Sequence, residues 1–100
     1  MATCEIQRLV MSGRVQGVGY RAWFADRAQR RGLEGWVRNR RDGSVEALLA
    51  GPPDVVTDMV AECRRGPPLA RVGTVDVTAA DPALLGMRLR GELFSVLETA

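Results

Sequence analysis

The sequence predicts an α+β fold, a ferredoxin-like βαββαβ sandwich in which an antiparallel sheet carries two helices on one face. Three observations predict it. Two stretches, 21–31 and 54–65, carry apolar residues at helical spacing. Each lies between segments with the apolar runs or alternation of strands. The pair Asp42-Gly43 between the two central strand segments is a strong hairpin signal. The length of 100 residues and a hydrophobic fraction of 46% suit one domain, 1–100, with a single modest core.

The first strand is read at Glu5–Ser12, where Leu9-Val10-Met11 form a short apolar run and Gly13 sets the boundary. Gly13–Tyr20, rich in Gly and Val, reads as a loop. A helix is expected over Arg21–Arg31, with Phe24 and Ala28 sharing a face and Gly32 stopping it. Leu33–Asn39, holding Trp36 and Val37, reads as the second strand. Its hairpin partner is Ser44–Ala50, with Val45, Ala47 and Leu49 alternating against Ser44, Glu46 and Leu48. Gly51-Pro52-Pro53 breaks the chain. The second helix spans Asp54–Arg65, its apolar stripe being Val56, Met59, Val60 and Cys63, and Gly66-Pro67-Pro68 ends it. Val72–Thr78 alternates as a strand, Asp81-Pro82 marks a loop, and Phe94–Leu97 reads as an extra short strand.

Composition removes whole classes of chemistry. All 14 basic residues are Arg, with no Lys and no His. Without His there is no Ser-His-Asp triad, Cys-His dyad or HExxH zinc helix. Without Lys there is no Walker A loop and no Schiff base. Cys4 and Cys63 are too few and too far apart for a structural zinc site, and neither has an Arg six residues on, as a thiolate phosphatase loop requires. A reduced, unpaired state is expected for both. No metal and no cofactor is expected. The net charge of +2 is too weak to argue for nucleic acid. No apolar run approaches the roughly 18–20 residues of a membrane span, and Met1-Ala2-Thr3-Cys4-Glu5 lacks the pattern of a leader peptide. The expectation is a cytoplasmic monomer without a membrane or nucleic-acid partner.

What remains is Gly13-Arg14-Val15-Gln16-Gly17-Val18-Gly19-Tyr20-Arg21, set between a strand and a helix start. Glycines there let successive backbone N–H groups converge into an anion-binding nest, and the helix N-terminus adds its positive end. Arg21 can lay a planar fork against two oxygens of an anion. A plain tight turn before a helix is the competing account of the same glycines. Arg21 could equally be a surface cation beside Asp26, and Asn39 a turn residue next to Asp42-Gly43.

The longer pattern discriminates. Gly13-x-Val15-Gln16-Gly17-Val18-x-Tyr20-Arg21 resembles the phosphate-loop signature of the acylphosphatase family. At the family's spacing follow Gly35-Trp36-Val37-Arg38-Asn39 and Asp42-Gly43-Ser44-Val45-Glu46. Gly51-Pro52, Arg64-Arg65-Gly66-Pro67-Pro68 and Ala70-Arg71-Val72 extend the likeness. The resemblance implies the same ferredoxin-like sandwich and the hydrolysis of acyl phosphates to carboxylate and inorganic phosphate, without a metal. It implies that the backbone of Val15, Gln16, Gly17, Val18, Gly19 and Tyr20, together with Arg21, holds the phosphate. Arg21 and Asn39 are the implied catalytic pair, Asn39 orienting the water. Gln16 is expected to shape the loop, and Trp36, Phe24 and Tyr20 to pack, the Tyr20 hydroxyl needing a partner. The chain departs from the family in Arg40, where a small hydroxyl residue is common, and in its C-terminal strand, which leaves open how the terminal residues relate to Arg21. Arg38, Arg40 and Arg41 could draw anions to the site, though a solvated hairpin rim is the simpler account.

Two rivals are weighed against this. A ferredoxin-like nucleic-acid module would need aromatic platforms on its central strands, and Glu5–Ser12 and Ser44–Ala50 hold none. A binding module could keep the phosphate nest without turnover. A related carbamoyl-phosphate role is known for similar domains inside larger proteins.

Overall fold

The computed structural model describes residues 4–100. Met1-Ala2-Thr3, part of the segment inspected for a leader pattern, lies outside them. The chain runs β1 (Glu5–Arg14), α1 (Tyr20–Arg30), β2 (Glu34–Asn39), β3 (Val45–Gly51), α2 (Pro53–Cys63), β4 (Arg71–Ala79), a short 3-10 turn at Pro82–Met87, and β5 (Phe94–Val96). The sheet order is β4-β1-β3-β2-β5. The first four strands pair antiparallel, the β1–β3–β2 centre matching the predicted hairpin. β5 is the extra strand, and it pairs parallel to β2, with Gly35 opposite Phe94 and Val37 opposite Val96. The sheet is therefore mixed at that edge rather than antiparallel throughout.

Both helices lie on one face. Phe24 and Ala28 of α1 and Val56, Met59 and Cys63 of α2 share one buried core with Leu9, Met11, Val37, Val45, Ala47 and Leu49. The 3.6-residue spacing of the helical residues and the two-residue spacing of the strand residues bring these side chains together. Phe24 packs tilted on Phe94, with ring centroids 6.0 Å apart, which ties α1 to the edge strand.

The expected end of the first strand also needs correction. β1 does not stop at Gly13; it continues to Arg14 through a bulge in its pairing with β4 between Ser12 and Gly13. Gly13 has φ +115°, and a Cβ there would sit 2.3 Å from the Arg71 carbonyl oxygen, so only glycine lets the two backbones approach. The bulge delivers the chain directly into the following loop.

In β3 both alternating sets are covered, Ser44, Glu46 and Leu48 as well as Val45, Ala47 and Leu49: Val45–Ala50 is buried throughout. The face opposite the helices is covered in part by residues around the 3-10 turn, where the Trp36 indole N–H donates to the Leu84 carbonyl at 2.9 Å. On that face the Glu46 carboxylate accepts from both Arg8 and Arg38, and the Arg38 guanidinium lies 4.9 Å over the Trp36 ring. Burial alone would raise the Glu46 carboxyl, but the two arginines outweigh it and hold it below the usual carboxylate range.

Candidate functional site

The loop between β1 and α1 has an unusual hydrogen-bond account. Gly17 and Gly19 sit at φ +74° and +76°, turning the chain so that Gly19 becomes the N-cap of α1. A glycine cap has no side chain to accept from the first helical N–H groups, and no acidic residue lies in the first turn. Among the described residues, none of the backbone N–H groups from Gln16 to Ala22 donates to a protein acceptor; the helix's first internal bond runs from Trp23 N–H to the Gly19 carbonyl. A run of free donors at an uncompensated helix N-terminus is the arrangement that binds anions.

These residues line a cleft of about 260 Å³ formed by Val15, Gln16, Gly17, Gly19, Tyr20, Arg21, Ala22, Asn39 and Val96. All the residues expected from the sequence meet there except Val18, whose side chain is half-buried against the core. Val15 and Tyr20 are themselves core residues, so only their backbones and edges reach the cleft. The Tyr20 hydroxyl finds its partner in the Cys63 carbonyl at 2.6 Å, linking the start of α1 to the end of α2. Burial pushes the Tyr20 phenol well above its ordinary value and the Cys63 thiol up to about 11, so neither supplies a charge here. Cys4 and Cys63 are both free thiols.

Arg21 is half-buried on the first turn of α1, and its Nη1 donates to the Leu97 carbonyl at 3.2 Å. Asp26 instead pairs with Arg30 at 3.1 Å and with Arg27. Arg21 has no carboxylate within salt-bridge distance among the described residues, so its charge is not neutralised within the fold. Asn39 closes β2 opposite Val45. Its carbonyl accepts from Ala100 N–H at 3.0 Å, while its side-chain amide makes no hydrogen bond among the described residues. One guanidinium and one amide, each with unused capacity, therefore face the same cleft.

Gln16 joins the two halves. Its Nε2 donates to the Arg40 carbonyl at 2.7 Å and the Ser44 carbonyl at 2.8 Å, fastening the loop to the mouth of the β2–β3 hairpin. That hairpin is itself set by Asp42, whose carboxylate accepts from the Ser44 hydroxyl and N–H, holding its pKa below the ordinary value. The arginine cluster splits up. Arg38 is committed to Glu46 on the far face, Arg40 lies at 4.0 Å from Asp42, and Arg41 is exposed.

Sequence reasoning left the contribution of the C-terminal segment open. Leu97 N–H donates to the Val37 carbonyl, Arg41 N–H to the Ala100 carbonyl and Ala100 N–H to the Asn39 carbonyl, so residues 97–100 extend the β5 pairing past Asn39. Val96 and Ala22 were missed. Backbone acceptors carry no residue-type signature, and single apolar side chains at a rim look like any other. No group of three or more His, Cys, Asp or Glu side chains that could hold a metal ion occurs among the described residues.

Comparison with known proteins agrees with this architecture. The family model for Acylphosphatase matches residues 7–84. An acylphosphatase of Bradyrhizobium diazoefficiens is 60% identical over 94 residues, which are 94% of this chain and 95% of that protein. One from Rhodopseudomonas palustris is 57% identical with the same coverage. The crystal structure of acylphosphatase from Bacillus subtilis superposes with a TM-score of 0.80 at 35% identity, covering 95% of this chain and 99% of that one. With the family model spanning most of the chain and such relatives aligned nearly end to end, this protein belongs to the acylphosphatase family.

Proposed function

We propose that the protein hydrolyses acyl phosphates to a carboxylate and inorganic phosphate, with the 15–21 loop holding the phosphoryl group and no metal ion taking part. The observation that carries the reading is the convergence, on one cleft, of free loop N–H groups, an unneutralised Arg21 and the uncommitted amide of Asn39. Membership of the acylphosphatase family supports the substrate class.

The chemistry suits a site without His, Lys or a metal. An acyl phosphate is a mixed anhydride, and its leaving carboxylate has an acid pKa near ~4, so it departs without a proton donor. A water oxygen attacks phosphorus in line, the P–O bond to the acyl group breaks, and its electron pair leaves on the carboxylate. The water's proton passes to a phosphate oxygen of the substrate. The protein's task is then positioning and charge stabilisation. Loop amides and the Arg21 fork bind the equatorial oxygens, and Asn39 accepts from the water through its side-chain oxygen. Leu97 and Gln16 act behind them, the one aiming Arg21 and the other fixing the loop. Inorganic phosphate, as product, competes for the same nest.

The test is hydrolysis of benzoyl phosphate in the presence of chelator by the wild type, Arg21→Ala and Asn39→Ala. Wild-type turnover should persist in chelator. Arg21→Ala should lose about a thousandfold in kcat/KM together with its inhibition by phosphate. Asn39→Ala should lose on the order of a hundredfold in kcat while phosphate inhibition is largely kept. Turnover abolished by chelator, or an Arg21→Ala enzyme of normal activity, would overturn the mechanism. A folded wild type that binds phosphate without turnover would instead be a phosphate-binding module.

A further inference from the structure

The cleft has a second character beside its anion nest. Of its apolar lining residues, Val15 and Tyr20 are each 1% exposed and offer a ligand almost no surface. Val96 is 43% exposed, an outlier for a large aliphatic side chain on a strand. Ala22, the residue after Arg21, is exposed too. These two are the exposed apolar side chains of the lining. Among the described residues, no carboxylate lines the cleft, and no cation besides Arg21.

The location of Val96 gives its exposure meaning. Its chain neighbour Leu97 provides the carbonyl that accepts from Arg21 Nη1. The exposed side chain of Val96 therefore stands in the same cleft as the Arg21 guanidinium, next to the residue that braces it. Below, Val96 is anchored by β5's parallel register on Val37 and by Phe94, which is buried against Phe24. The side chain is held by a packed element, so it presents a fixed apolar wall.

Resting on the acyl-phosphate reading, we propose that Val96 is a specificity-determining residue. It contacts the acyl group and selects acyl phosphates whose acyl part is apolar and bulky over those whose acyl part is small. Removing apolar contact from a half-open wall is worth less than from a closed pocket, so the discrimination should be modest.

The experiment measures kcat/KM for benzoyl phosphate and acetyl phosphate, and the inhibition constant of inorganic phosphate, in the wild type, Val96→Thr and Val96→Leu. Threonine keeps the shape and replaces a methyl by a hydroxyl; leucine enlarges the apolar wall. Val96→Thr should lower the benzoyl-to-acetyl ratio about three- to tenfold, and Val96→Leu should raise or hold it, with phosphate inhibition constant across the three. A ratio unmoved in both variants would overturn the inference while leaving acyl-phosphate hydrolysis intact. So would an equal loss on both substrates accompanied by weaker phosphate inhibition, since that is the signature of Val96 acting through Leu97 on Arg21. A wild type that hydrolyses neither substrate would remove the acyl-phosphate reading and the inference with it.

Discussion

Replacing Gln16 by Met tests whether the loop is held in place by a single side chain. Methionine keeps the unbranched length and removes the donor. The two bonds lost, at 2.7 and 2.8 Å, are part-buried. Their acceptors are not stranded: the Arg40 carbonyl still accepts from Gly43 N–H and the Ser44 carbonyl from Arg40 N–H. The cost is then the net value of two hydrogen bonds, about 1 kcal/mol each, without the larger penalty of orphaned groups. If that roughly 2 kcal/mol goes wholly into holding the loop in its anion-binding form, phosphate affinity and kcat/KM should each fall about thirtyfold. If it goes into global stability instead, Tm should fall by some 8–16 °C for a domain of this size, with the site unchanged in the remaining folded protein. Benzoyl phosphate kinetics, phosphate inhibition and thermal melting on the same preparation separate the two. Gln16→Met with normal kinetics and a normal inhibition constant would refute the idea that this tether positions the loop. Gln16→Glu should be worse than Gln16→Met, because it sets a carboxylate against two carbonyl oxygens.

Two further expectations concern the scaffold. Because Glu46 has its pKa depressed in the fold by Arg38 and Arg8, the unfolded chain binds its proton first; its contribution to stability is present above the ordinary carboxylate range and is lost as pH falls through the lowered value. Denaturant titrations from pH 7 downward should show Glu46→Gln with a shallower acid slope than wild type, and parallel slopes would refute that assignment. Gly13→Ala should cost roughly 3 kcal/mol or more, since the added Cβ meets backbone atoms of Arg71 and Gly73 at 2.3 and 2.6 Å and neither can step aside. Urea unfolding measures it, and a change under 1 kcal/mol would mean that the bulge relaxes freely.

The helices and the central hairpin were legible because burial imposes periodicity on them, and each observed boundary falls within a residue or two of the expected one. The glycine-rich loop was legible for a different reason: a tight turn with free N–H groups at a helix N-terminus needs glycines at fixed offsets from the helix start. Asn39 is isolated in chemistry, and only the spacing of its neighbours singled it out. The burial of Glu46 was not legible, because alternation records which face a residue points to, not what covers that face; two arginines from flanking strands do so here. The parallel direction of β5 was invisible, since three residues carry no directional signal. The carbonyl of Leu97 was invisible in principle, because any residue at that position offers the same oxygen.

The bond from Arg21 to Leu97 joins positions 76 apart in sequence. The cleft exists only after the last strand has docked against the second, so the chain closes one of its largest loops before Arg21 is aimed. Such distant closures are slow relative to helix and hairpin formation. On the proposed role of Arg21, catalytic competence is a late event in the life of the chain: a refolding sample should regain its helical signal before its activity. A nascent copy is silent until the region around Leu97 has been made and docked.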